Sequence, residues 1–215
     1  MGVFLKKFLK KLIAVIFTLS SVLIISSFTY ADEAPPPDFT AMMITAARQG
    51  DIAAGREAAQ QRNEYIDEHL TGEEKFSFDD LYLLAQFINA EAGSDWLSDE
   101  TRLCVGEVAL NRVASREYPS SLKRVIFQRG QFDCVHDLNF TRTVPNRDCV
   151  LAALRLMEGE RMLEAQVIYF GSEPQGEIYN TFVDKVQGYT YFCVSPNTEL
   201  YAASARTPEE DLTED

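Results

Sequence analysis

Histidine, tryptophan and cysteine are scarce in this chain, with two His, one Trp and four Cys in 215 residues. His69 and His136 stand far apart and no Cys-x-x-Cys occurs, so a closed structural zinc site lacks its donors and no metal is expected. Nothing in the sequence requires a cofactor. Positive charge is also short, with Lys+Arg 20 against Asp+Glu 33 and a formal net charge of −13. Binding to phosphate backbones needs a basic face, and its absence excludes nucleic acid as the main partner. What remains is ordinary globular composition, 46% hydrophobic, enough for one modest domain with tails.

The few lysines are placed informatively. Lys6, Lys7, Lys10 and Lys11 precede an uncharged run from Leu12 to Ala31, which reads as a secretory signal peptide or an N-terminal anchor over residues 1–31. The run approaches the ~20 apolar residues that span a bilayer, so residues 12–31 are also a candidate membrane tether. Either way the body is expected to be secreted or held in the cell envelope, outside the cytoplasmic membrane. Export makes Cys104, Cys134, Cys149 and Cys193 candidates for two disulfides. Cys134 and Cys149 bracket a loop that a bridge stabilises by about 3 kcal/mol, which leaves Cys104 for Cys193.

After Pro35-Pro36-Pro37, residues 32–75 read as a linker and helical stalk, rich in Ala, Gln, Arg and Glu and with a thin apolar face. Residues 205–215 form an acidic tail with too little apolar content to fold. The domain is expected at 76–204. Ser77 caps a helix on which Leu81, Leu84, Ala85 and Ile88 recur at helical spacing up to Gly93. Ser98, followed by Asp99 and Glu100, opens a second helix to about Ser115 that is apolar on most sides and so central. A short helix after Pro119 and another over Arg147–Met157 follow, and then the pattern turns to strand at 165–170 and 189–194. Helices first and a short antiparallel sheet later define an α+β fold.

Glu91 stands out because it falls on the apolar stripe of the first core helix, three residues after Ile88. Burial raises a carboxyl's proton affinity, as a general acid near neutral pH requires. A helix-end residue swinging into solvent fits the same periodicity. Asn89-Ala90-Glu91-Ala92-Gly93, Val108-Ala109-Leu110-Asn111-Arg112-Val113, Tyr118-Pro119, Val125-Ile126-Phe127-Gln128 and Gly130-Gln131-Phe132 resemble, in order and spacing, cell wall hydrolases of the spore cortex-lytic SleB type. The similarity runs from about Leu81 to Val194. It implies a small lysozyme-like α+β domain acting on the glycan strands of peptidoglycan, with the acid role falling on Glu91. Many relatives carry a Gly-Asn-His-x-Phe segment where this chain reads Gly188-Tyr189-Thr190-Tyr191-Phe192-Cys193, so any role of that His has no counterpart here.

Residue types then bear on mechanism. A two-carboxylate glycosidase needs a second Asp or Glu roughly 5 to 9 Å from the acid, and the candidates are Glu107, Asp133 and Asp137. A lytic transglycosylase needs one carboxylate, because the muramic acid 6-hydroxyl attacks its own anomeric carbon. The sequence favours that reading, with a hydrolytic muramidase or glucosaminidase and a non-catalytic wall-binding module as alternatives. An amidase or peptidase lacks its Cys/His or metal constellation. Asn111, Gln131, Phe132, Tyr169 and Tyr191 are the candidate substrate-binding residues, and Trp96 either borders the cleft or anchors a loop. The oligomeric state has no signature in the sequence.

Overall fold

The computed structural model describes residues 36–197, so the expected signal peptide or anchor over residues 1–31 and the acidic tail over 205–215 lie outside the described residues. The order is α1 (Phe39–Gln49), α2 (Ile52–His69), α3 (Phe78–Ala92), α4 (Asp99–Ala114), α5 (Leu122–Ile126), two 3-10 turns (Asp133–His136 and Phe140–Arg142), α6 (Arg147–Met157), then β1 (Val167–Gly171), β2 (Ile178–Asp184) and β3 (Gly188–Val194). The protein is α+β, with the helices first and a small antiparallel sheet last.

Each helix starts where a short polar side chain can satisfy a free backbone N–H. Asp38, Asp51, Ser77, Ser98, Ser121 and Asn146 each accept from the N–H three residues on. Ser77 adds a bond from its hydroxyl to the Asp80 carboxylate. Gly50, at φ 66°, closes α1 in the left-handed conformation and lets α2 fold back against it.

Helix α3 is the hub, because it packs against α2, α4, α5, α6 and both 3-10 turns. Phe78, Leu81, Leu84, Phe87 and Ile88 are fully or almost fully buried on it. Helix α4 is buried continuously from Thr101 to Ala109, which agrees with its expected central place. The helical segment before the domain forms as a hairpin, and its inner face joins the same core. Met43, Ala47, Ala58 and Ala59 are buried in one cluster with Phe78 and Leu81. A Cβ on Gly55 would lie 2.1 Å from the Phe78 ring, so α2 can dock this closely only with glycine there.

The sheet order is β1-β3-β2, antiparallel throughout. β1 and β3 are the expected pair, with Phe170 opposite Phe192 and Gly171 opposite Tyr191. β2 is an additional edge strand, joined to β3 by a tight turn. There Asp184 Oδ1 accepts from Val186 N and Gln187 N, and Gly188 takes φ 85°. Side-chain alternation puts Phe192, Thr190 and Val194 on the core face and Tyr189 and Tyr191 on the other. A column of rings, Phe87, Phe132, Phe170, Phe192 and Phe182, joins the sheet to α3 with successive centroids 4.6 to 6.1 Å apart.

Among the described residues all four cysteines are free, which corrects the expectation of two bridges. Disulfide exchange proceeds through the thiolate, and burial disfavours that form. Burial pushes the Cys104 thiol up to about 12 and the Cys149 thiol up to about 11. Arg102 and Asn146 act on the Cys149 thiol and Glu91 on the Cys134 thiol, and the expected Cys134–Cys149 and Cys104–Cys193 bridges are not formed. No helix among the described residues is long and apolar enough to cross a membrane.

Candidate active site

Glu91 lies in the last turn of α3, one turn beyond Phe87 and on the same side of the helix. Phe87 packs edge-on against Phe132 and Phe170, in the aromatic column that joins helices to sheet. Glu91 is half-buried. Burial raises its proton affinity above the ordinary carboxylate range, a hydrogen bond from the Cys134 thiol works against that rise, and the charge of Asp133 adds to it.

The residues around Glu91 in the Asn-Ala-Glu-Ala-Gly segment hold its place. Asn89 Oδ1 accepts from Asn146 N at 2.9 Å, and Asn146 returns a bond from Nδ2 to the Gly93 carbonyl at 2.9 Å. Asn146 also caps α6 through Cys149 N, so the end of α3 and the start of α6 share one side chain. A Cβ at position 93 would sit 2.2 Å from the Asn89 carbonyl oxygen, which requires glycine. Gln86 Nε2 donates to the Thr143 carbonyl at 2.9 Å and, less closely, to those of Phe140 and Thr141. These bonds draw the loop after the first 3-10 turn onto α3. A cavity of about 250 Å³ opens there, between Gln86, Asn89 and Ala90 on one wall and Cys134, Asp137 and Asn139 on the other, and Glu91 is not among its lining residues.

The second-carboxylate candidates separate clearly. Glu107 is fully buried on α4, and its Oε2 accepts from Met162 N at 2.7 Å and Leu163 N at 3.1 Å. It is an anchor for the chain entering the sheet. Asp137 accepts from Asn139 N in a tight turn. Asp133 alone is exposed and close enough for its charge to act on Glu91.

The expected substrate-binding residues do not form one group. Asn111 is buried, and its amide donates to the Glu164 and Val167 carbonyls at 3.0 Å each, so it fastens α4 to β1 and is not at a surface. Phe132 is likewise interior, in the aromatic column beneath Arg112, whose guanidinium carbon is 4.5 Å from the ring centre. Gln131 is exposed and accepts from Arg112 at 3.2 Å. Tyr169 is half-buried 5.7 Å from the same guanidinium, and Tyr191 is half-buried against Tyr189 with the rings 15° from parallel. Gln131, Tyr169 and Tyr191 thus keep exposed atoms. Trp96 is 53% exposed and faces Phe182, Val183 and Thr190 across a small cavity between the α3–α4 loop and the β2–β3 hairpin.

Sequence reasoning missed Cys134 as a neighbour of Glu91, and Gln86 and Asn146 as supports. Cys134 follows the Gly-Gln-Phe segment by two residues, but its free state is set by tertiary contacts that no spacing reveals.

Residues 96–192 match the Cell Wall Hydrolase family, which supports the resemblance drawn from the sequence. The matched span begins five residues after Glu91 and covers α4 to β3. No curated protein and no solved structure matches the chain. The family supports a role in hydrolysing the bacterial wall polymer, peptidoglycan.

Proposed function

We propose that the protein is an exported peptidoglycan-lytic enzyme that cuts the glycan strand between muramic acid and glucosamine as a lytic transglycosylase, with Glu91 as acid and base. The observation that carries this is a half-buried carboxyl, raised in proton affinity, at a helix end braced on both sides by Asn146. In the forward step Glu91 gives its proton to the glycosidic oxygen as the C–O bond breaks. The muramic acid 6-hydroxyl forms the new bond to C1 and returns its proton to Glu91, so one carboxyl serves both transfers. Effective molarity replaces the second carboxylate. Substrate outside the cytoplasmic membrane agrees with the lysines and uncharged run of residues 1–31 as an export signal or tether.

Asp133 supports a second reading, hydrolysis, because its charge acts on Glu91 and a second carboxylate near the acid is what activation of water requires. Mass analysis of muropeptides released from purified peptidoglycan separates the two. Transglycosylation gives 1,6-anhydromuramic acid ends, whereas hydrolysis gives reducing ends one water heavier. Reducing muramic acid ends as the sole product would overturn the transglycosylase proposal, and cleavage confined to the stem peptide would overturn both.

A further inference from the structure

We propose that the cavity between the end of α3 and the two 3-10 turns is a sugar subsite, which takes one N-acetylglucosamine unit of the glycan strand and holds it by Asn89 Nδ2, Asp137 Oδ2 and the Asn139 amide. The inference rests on the reading of peptidoglycan glycan as the substrate, and it names the sugar that this part of the molecule accepts. Two of the three side chains are half spent on the fold. Asn89 Oδ1 accepts from Asn146 N at 2.9 Å, and because that donor is a backbone N–H the amide oxygen must face it, which leaves Nδ2 as the other end. Asp137 Oδ1 accepts from Asn139 N at 2.9 Å and so sets the direction of Oδ2. The Asn139 side chain is exposed, and its hydrogen bonds to Asp137, Arg142 and Thr143 all run through its backbone. Among the described residues Asn89 Nδ2, Asp137 Oδ2 and the Asn139 amide bond to nothing, and all three residues line the cavity. Their frame is fixed, because Gln86 Nε2 ties the carbonyls of Phe140, Thr141 and Thr143 to α3 and the Phe140 ring packs edge-on against Phe127 at 5.7 Å. Polar groups held in place before a ligand arrives lose little freedom on binding it.

Size and charge select the sugar. At about 250 Å³ the cavity falls just below the roughly 300 Å³ at which pockets for drug-sized ligands begin, so it suits one sugar unit and not an oligomer. The Asn139 amide can both donate and accept, as the carbonyl and N–H of an acetamido group require, and the Asp137 carboxylate accepts from a hydroxyl. Ala90 and Phe140 supply apolar wall for the acetamido methyl. The lining contains Asp137 and neither Lys nor Arg. Muramic acid carries a lactyl group that ends in a carboxylate or continues into the stem peptide, and a carboxylate beside Asp137 is repelled. Acetylated glucosamine has neither that charge nor that bulk. Ala90 lines the cavity and Glu91 follows it on α3, so the acid lies round the helix from the bound sugar, toward the next linkage of the strand.

The test titrates the full chain carrying Glu91→Gln, so that turnover does not consume the ligand, with a soluble N-acetylglucosamine trimer into the millimolar range. The side-chain amide resonances of Asn89 and Asn139 should shift saturably. Adding Asn139→Ala should weaken binding by about tenfold, and a glucose trimer, which lacks the acetamido groups, should bind about tenfold more weakly than the acetylated one. The Asn139 side chain bonds nothing in the fold, so this variant should keep the urea midpoint of its parent, which separates a lost sugar contact from lost structure. Absence of saturable shifts at the two amides, equal affinity for the two trimers, or unchanged affinity in Asn139→Ala overturns the proposal. Failure of the lytic reading looks different. Wild-type protein that binds the trimer at these residues but releases no glycan fragments from purified peptidoglycan refutes cleavage and upholds the subsite, whereas glycan cleavage without the amide shifts refutes the subsite alone.

Discussion

Burial and the charge of Asp133 both raise the proton affinity of Glu91, and the Asp133 contribution predicts a variant. Replacing Asp133 by Asn removes a like charge, so Glu91 should lose its proton at lower pH and the alkaline limb of the rate profile should move down. If Asp133 also activated water, the same variant would abolish turnover across the whole pH range. The raised affinity of Glu91 also bears on stability. A carboxyl that binds its proton more tightly when folded than when unfolded costs stability above the ordinary carboxylate range, and that cost disappears as pH falls below it. Glu91→Gln should therefore unfold at a higher denaturant concentration than the wild type at neutral pH, with the difference shrinking in acid. Glu107 makes the opposite case. Removing its side chain takes the acceptor from the buried Leu163 N–H and the part-buried Met162 N–H and empties a core position, so Glu107→Ala should lose about 3 kcal/mol in urea unfolding while folded enzyme keeps its activity. Lost activity with unchanged stability would mean that Glu107 belongs to the chemistry after all.

The helical hairpin α1–α2 is tied to the domain by packing, and that is testable at one residue. Gly55→Leu must push the Phe78 ring away from α2 and should cost about 2 kcal/mol in urea unfolding, with cleavage per folded molecule unchanged. A neutral substitution would show that the hairpin rides loosely on the domain. Helices α3, α4 and α6 were legible in the sequence because their apolar periodicity and N-caps agree, at Ser77 and Ser98 most plainly. β1 and β3 were legible from β-branched and aromatic runs. β2 was not, because an edge strand with Ile178, Tyr179 and Val183 largely exposed carries no alternating pattern that burial would impose. The candidate site divides the same way. Glu91 was visible from its place on an apolar stripe, but Asn111 and Phe132 were read as sugar contacts when one is spent on the carbonyls of the β1 approach and the other on the aromatic column. Polar or aromatic identity in a core helix or turn does not tell whether a side chain faces ligand or its own backbone.

The chain as a whole carries net charge −13, and its proposed substrate is an anionic wall polymer. Like charges repel over a Debye length of about 10 Å at 0.1 M salt, so association with peptidoglycan should strengthen as salt rises from about 10 mM to that level. Sedimentation of the protein with purified peptidoglycan at graded ionic strength checks this, and binding that weakens with salt would point to a basic contact surface not evident in the composition. Every functional statement nevertheless passes through one carboxyl. The most direct measurement is the release of soluble glycan fragments from purified peptidoglycan by the wild type and by Glu91→Gln, with folding of both verified by circular dichroism. Gln keeps the volume and hydrogen-bonding capacity but has no proton to give, so the account predicts a folded protein with turnover lower by roughly 10²-fold or more. A folded Glu91→Gln protein that releases fragments at a near-normal rate would contradict it.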